Sequence, residues 1–121
     1  MRILILEDNS ERQEQFKKNL VGHNIEITDS SKIAIETLSN KKWDILFIDH
    51  DLGGKVFVPS EENTGYEVAK FLEEHKQFIP KNIIVHSLNP VGAKNIMNIL
   101  PNAIHIPFAW TENNLKKMGL I

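Results

Sequence analysis

Apolar runs closed by polar clusters alternate along this chain with stretches whose apolar residues recur at helical spacing. Ile3-Leu4-Ile5-Leu6 is a continuous apolar run ended by Glu7-Asp8-Asn9. An unbroken run of this kind predicts a strand buried on both faces, as in parallel sheets. Ser10, with Gln13 three residues on, predicts a helix start, and Phe16, Leu20 and Val21 supply an apolar stripe up to Gly22. Residues 25–28 read as a short second strand. Asp29 or Ser30 is placed to cap a helix with Ile33, Ala34 and Leu38 on one face. Trp43-Asp44-Ile45-Leu46-Phe47-Ile48 predicts the third strand, which ends in Asp49-His50-Asp51. A polar, glycine-containing stretch over 53–63 leads to Thr64 and Glu67, spaced as a capping box for a helix that turns Val68, Phe71 and Leu72 inward. Pro80 marks a break before Ile83-Ile84-Val85, a fourth strand ending at His86-Ser87. Asn89-Pro90 reads as an N-cap followed by proline at the first helical position, for a helix that buries Ile96, Ile99 and Leu100. A fifth strand is expected over 103–106, and Thr111 caps a short last helix.

Five strands, each followed by a helix, with no repeat, linker or low-complexity tract, predict one α/β domain over 1–121. The sheet is expected to be doubly wound and parallel, with right-handed crossovers. A chain of 121 residues suits one core and is short for two. Fourteen basic against sixteen acidic residues leave a net charge of −2, which argues against an extended nucleic-acid partner but leaves room for a small nucleotide. The absence of cysteine removes disulfide and thiolate chemistry. The four-residue apolar run near the N-terminus is too short for a signal peptide or a membrane span, so a cytoplasmic protein without a membrane partner is expected. Oligomeric state is not legible in the pattern.

Ligands of open α/β sheets bind outside the carboxyl ends of the strands, near the switch in strand order. In a 2-1-3-4-5 order, strand one lies beside strand three and strand three beside strand four. Glu7 and Asp8, then Asp49, His50 and Asp51, then His86, Ser87 and Asn89, are thereby expected around one pocket. Four carboxylates in one place are best tolerated around a hard cation, so Glu7, Asp8, Asp49 and Asp51 are candidate ligands for Mg²⁺ or Mn²⁺. The helix starting at Pro90 directs N–H groups toward the same edge, and Gly92 allows close approach to the backbone. Ser87, Asn89 and Gly92 are therefore candidate contacts to a small phosphorylated ligand. Each residue also has a plainer reading: Glu7 or Asp8 as helix N-terminal acids, Asn89 as a cap only, His50 as a turn residue, His86 as a hydrogen-bonded core histidine. His23, His75 and His105 are expected to be structural or surface residues. Asp44 is expected at the opposite end of the sheet, facing solvent, and Glu61-Glu62 as solvated loop charges.

Ile3-Leu4-Ile5-Leu6-Glu7-Asp8, Trp43 through Asp49, Thr64-Gly65-Tyr66-Glu67 and Pro107-Phe108 together resemble a response-regulator receiver domain over nearly the whole chain. The resemblance implies a flavodoxin-like, receiver-type sheet of order 2-1-3-4-5. It also implies Mg²⁺ binding by Glu7 and Asp8, and phosphoryl acceptance at Asp49. Receivers carry Thr or Ser where this chain has His86, and Lys where it has Ile106. Asp49-His50-Asp51-Leu52-Gly53, with His86-Ser87-Leu88-Asn89-Pro90-Val91-Gly92-Ala93, is more similar to the cyclic-phosphate-processing receiver group. That likeness implies hydrolysis of a cyclic phosphate on a nucleotide or ADP-ribose-type ligand.

Such chemistry needs an activated water, neutralised phosphoryl oxygens and a proton for the leaving hydroxyl. An ion on the acidic residues meets the first two needs. His86 suits acid or base work, and His50 the complementary part. Asp49 is alternatively a nucleophile forming an aspartyl-phosphate. Two other expectations stand beside the hydrolase: an inert pseudo-receiver that binds a partner protein, and an atypical phosphoacceptor in a signalling relay.

Overall fold

The computed structural model describes residues 1–52, 63–107 and 111–120. Among them lie strands β1 (Arg2–Leu6), β2 (Asn24–Thr28), β3 (Ile45–Ile48), β4 (Asn82–Val85) and β5 (Ile104–His105). Helices α1 (Ser10–Asn19), α2 (Ser31–Asn40), α3 (Gly65–Glu74), α4 (Pro90–Ile99) and α5 (Thr111–Lys117) alternate with them, and a 3-10 turn over Lys76–Phe78 follows α3. All strand pairs are parallel, in the order β2-β1-β3-β4-β5. This is the doubly wound parallel sheet that the sequence pattern predicts, in the flavodoxin-like, receiver-type order that the resemblance implies. No helix of the described residues is long and apolar enough to cross a membrane.

The unbroken apolar runs are explained by burial on both faces. Leu4, Leu6, Leu46, Ile48 and Val85 pack with Ala34, Leu38, Val68, Leu72, Ala93 and Ile96, under α2, α3 and α4. Ile3, Ile5, Phe47 and Ile84 pack with Phe16, Leu20 and Leu115, under α1 and α5. The pleat sends alternate residues to opposite layers. Ile5, Phe47 and Ile84 are register partners on the α1 side. Glu7, Asp49 and His86 each stand two residues further along, so they prolong the same row past the strand ends. The ladder carries on to meet them: Asp49 N–H donates to Leu6 O at 3.1 Å and His86 N–H to Ile48 O at 3.0 Å. The register of β4 on β5 extends the row to Ile106, whose N–H donates to Val85 O and whose side chain is buried in the α1-side layer.

Several helix starts differ from the sequence reading. Asn9 caps α1 by accepting from Arg12 N–H, and Ser10 is the first helical residue. Gln13 uses its amide on Glu7 O instead of a capping box, at 2.7 Å. Gly22, at φ +94°, lies in the turn after α1, and Val21 is 81% exposed because the stripe ends at Leu20. Ser30 caps α2, and Ile33 faces solvent while Ala34 and Leu38 go inward. Thr64 makes no side-chain cap to α3; Glu67 gives its carboxylate to the Ser31 hydroxyl on α2, which places it between two helices. Phe71 and Ile99 are only partly buried. Thr111 lies inside α5, not ahead of it. Residues 53–62, including Glu61-Glu62, and Phe108 lie outside the described residues.

Candidate metal and phosphate site

Glu7, Asp49 and His86 each offer one ligand atom, and these atoms lie within 4.8 Å of one another. All three are buried: Glu7 and His86 have no exposed surface and Asp49 is 4% exposed. His86 Nε2 donates to Glu7 Oε1 at 3.0 Å, and Asn9 N–H donates to Glu7 Oε2 at 3.0 Å. Arg12 on α1 stands 3.8 Å from Glu7 Oε1. The imidazole of His86 is backed by apolar rings, with Phe16 edge-on at 5.3 Å and Phe47 at 6.2 Å between centroids. The residues that end β1, β3 and β4 are therefore polar groups set on an aromatic wall.

Their electrostatics diverge. Burial lifts the Asp49 carboxyl, and the neighbouring charges of Glu7, Asp8 and Asp51 lift it further, to about 8 against an ordinary 3.8. Burial also pushes Glu7 upward, but its hydrogen bond and charge interaction with His86, helped by Asn9 N–H and Arg12, leave it below the ordinary range. Burial holds the His86 imidazole below its usual value, against the pull of Glu7. The row thus pairs an ionised Glu7 with a neutral His86 that donates to it, beside an Asp49 that keeps its proton near neutrality.

A second cluster faces the α4 side. His50, fully buried, gives Nδ1–H to Asp51 Oδ1 at 2.8 Å. The Asn89 amide donates to the same Asp51 oxygen at 3.0 Å, while Asn89 Oδ1 caps α4 by accepting from Gly92 N–H. Gly92 has its special use here: a Cβ on it would sit 2.3 Å from His50 Cγ. Its N–H is therefore taken by Asn89 and its open side by His50. Gly65 plays the same part for Asp49, since a Cβ there would lie 2.2 Å from Asp49 O. Ser87 accepts from Asn89 N–H through its hydroxyl at 3.1 Å, and its carbonyl accepts from His105 Nε2 at 3.0 Å.

The sequence reading expects Glu7, Asp8, Asp49, Asp51, His50, His86, Ser87, Asn89 and Gly92 at one end of the sheet. They are there, in two groups, and the charge of Asp51 in the second also acts on Asp49 in the first. Glu7, Asp49 and His86 form one group, with half-buried Asp8 contributing charge to it. Asp51, His50, Asn89 and Gly92 form the other, and the carboxylate of Asp51 is turned to His50 and Asn89. Arg12 was missed by the strand-end argument because it comes from α1, where only its helical spacing from Phe16 signals that it faces the sheet. Asp44 is at the opposite end, where its carboxylate accepts from Arg2 N–H. His23 and His75 make backbone contacts away from the site, to Leu120 O and Phe71 O.

A family model described as the cyclic-phosphate processing receiver domain matches residues 2–102. No curated protein matches the chain. Among solved structures, the response regulator TrrA of Thermotoga maritima, in complex with Mg²⁺ and BeF, is similar at 20% identity and a TM-score of 0.69. The match covers 99% of this chain and 98% of that one. The receiver domain of a sensor histidine kinase from Pseudomonas aeruginosa, with magnesium in its active-site cleft, is 16% identical with a TM-score of 0.72, covering 97% and 92% of the two chains. A chemotaxis protein of Vibrio cholerae is 15% identical with a TM-score of 0.71, over 97% and 93%. These structures share the fold, and the family model spans most of the sequence: the chain belongs to the family of cyclic-phosphate processing receiver domains.

Proposed function

We propose that this protein is a metal-dependent hydrolase that opens a cyclic phosphate on a nucleotide or ADP-ribose-type ligand. The observation that supports this most is the row of Glu7, Asp49 and His86, where an imidazole stands among carboxylates. The next position of the row is filled by Ile106, buried in the apolar layer, which offers a phosphoryl group no positive charge.

The donor set fits a divalent ion. Asp49 keeps its proton to about pH 8 because burial and three neighbouring carboxylates oppose its charge, and a cation relieves that opposition. Glu7, Asp8 and Asp49 are the residues that would hold it. When bound, a divalent ion polarises phosphoryl oxygens and eases the deprotonation of water.

Opening the ring forms one P–O bond to a water oxygen and breaks one ring P–O bond. One proton leaves the water and one arrives at the released hydroxyl, so the product is a phosphomonoester. Two imidazoles are available to handle those protons, each oriented by a carboxylate: His86 on Glu7 and His50 on Asp51. Asn89 keeps Asp51 and the start of α4 in register, and Ser87 adds a hydroxyl nearby.

The test is incubation with Mn²⁺ or Mg²⁺ and a panel of 2′,3′-cyclic nucleotides and cyclic phosphates of ADP-ribose. Asp49→Asn and His86→Ala are assayed beside the wild type. Turnover to monoesters that both substitutions abolish is the expected result. Failure to turn over any substrate, together with acetyl phosphate labelling of Asp49, would favour a phosphoacceptor. Absence of both, with no divalent-ion binding, would leave a partner-binding domain.

A further inference from the structure

We propose that His86 is itself a ligand of the ion, so that the site selects Mn²⁺, or another borderline ion such as Co²⁺ or Zn²⁺, over Mg²⁺. This rests on the metal-binding half of the proposed function and not on hydrolysis.

Three observations carry it. First, the ligand atoms that converge are two carboxylate oxygens and one imidazole nitrogen, all within 4.8 Å of one another. Second, His86 Nε2 lies 3.0 Å from Glu7 Oε1, and two adjacent ligands on a small six-coordinate ion stand roughly 3 Å apart. An ion that displaces the shared proton therefore needs little movement of either side chain. Third, the ring is fixed. Phe16 and Phe47 pack edge-on against it, its backbone N–H is tied to Ile48 O, and it has no exposed surface. The nitrogen is held toward the carboxylates whether or not an ion is bound.

The choice of ion follows from donor softness. Magnesium takes oxygen ligands and gains little from imidazole, whereas affinity for nitrogen-containing sites rises from Mn²⁺ through Co²⁺. The proton-handling imidazole of the reaction is then His50, which Asp51 holds by its Nδ1–H.

Two measurements on wild-type protein and one variant test this. Calorimetric titration with MnCl₂, and separately with MgCl₂, is expected to show tighter Mn²⁺ binding by about tenfold or more. Electron spin-echo envelope modulation of the Mn²⁺-loaded wild type is expected to show ¹⁴N coupling from a directly bound imidazole. In His86→Gln the ¹⁴N signal should vanish and Mn²⁺ affinity should fall by about 10- to 100-fold, while Mg²⁺ affinity changes by less than about threefold. Wild-type Mn²⁺ spectra without ¹⁴N coupling would overturn the proposal, as would equal losses for both ions in the variant. The spectrum needs no variant, so a His86→Gln protein that fails to fold does not blunt the test. Because neither readout uses a substrate, a wild type that binds Mn²⁺ through nitrogen but hydrolyses nothing refutes the hydrolase alone.

Discussion

Asn in place of Asp49 should make the metal-free protein markedly more stable, by an amount that depends on pH in a defined way. Asp49 is 4% exposed, and its carboxyl is lifted from 3.8 to about 8 by burial first and by Glu7, Asp8 and Asp51 next. In the unfolded chain the same group ionises near its ordinary value. A folded-state pKa raised above the unfolded one contributes stability that is complete below about pH 4 and drains away as pH climbs toward 8. The loss runs at about 1.4 kcal/mol per pH unit across that interval, so roughly 4 kcal/mol has gone by pH 7 and between about 5 and 6 above pH 8. Asparagine has nearly the shape of the protonated acid and cannot ionise, so Asp49→Asn escapes the loss.

Urea denaturation of both proteins at steps from pH 4 to pH 9, in chelator-treated buffer, reads the effect directly. Taking the difference between the two chains largely cancels groups that titrate in both. The variant should match the wild type near pH 4 and exceed it by on the order of 4 kcal/mol at pH 7, which at this chain length is upwards of about 10 °C in Tm. A stability difference that is flat from pH 4 to 8, or an Asn variant less stable than the wild type at pH 7, would refute the reasoning. Either result would mean that Asp49 is not held protonated by its burial and its acidic neighbours.

Other outcomes follow from the same contacts. Saturating Mn²⁺, at about 100 times its dissociation constant, should stabilise the wild type by about 2 to 3 kcal/mol in thermal denaturation, and Glu7→Gln or Asp49→Asn should abolish that gain. His86→Ala should cost about 3 to 5 kcal/mol by urea denaturation, because it leaves the buried Glu7 carboxylate without its imidazole and opens a space against Phe16 and Phe47. Gly65→Ala should be worse than Gly92→Ala: its Cβ would meet the Asp49 carbonyl at 2.2 Å, a backbone atom, whereas at Gly92 the nearest atoms, at 2.3 Å and beyond, all belong to the His50 side chain. A loss of about 1 to 3 kcal/mol is expected at Gly92, and a larger one at Gly65. Asn89→Ala should lower stability by about 1 to 2 kcal/mol, since it removes both the α4 cap and the amide that holds Asp51.

The contrast between Glu7 and Asp51 explains how far the site was legible in the sequence. Strand periodicity brings both residues to the carboxyl ends of β1 and β3, and that much is fixed by unbroken runs such as Ile3 through Leu6. The same periodicity does not divide them: Asp51 stands two residues past Asp49 and its charge acts on Asp49, while its carboxylate also accepts from His50 and Asn89. Ile5, Phe47 and Ile84 share a row, so Glu7, Asp49 and His86 must continue it, while His50 must turn the other way, toward α4. What alternation could not show is that the Asp51 carboxylate also serves as acceptor for His50 and Asn89. The use of Gly92 could not be read at all. A glycine near a helix start suits a ligand or a packed ring equally, and only the position of the His50 ring decides. Helix starts were ambiguous for a similar reason: Asn9 and Ser10 are both good caps, and in the fold Asn9 takes the part, with its own N–H bonded to the Glu7 carboxylate. Ile106 is the residue whose meaning changed most. As a sequence departure it reads as the loss of a cation. In the fold it is the fourth member of the row that holds Glu7, Asp49 and His86, and it closes the apolar layer beside the imidazole. A lysine in that row would bring its charge close to the groups that a divalent ion must share. An isoleucine brings no such charge, so Glu7 and Asp49 would be left to a bound ion, and burial holds His86 below its usual value, toward the neutral state in which an imidazole can bind a metal.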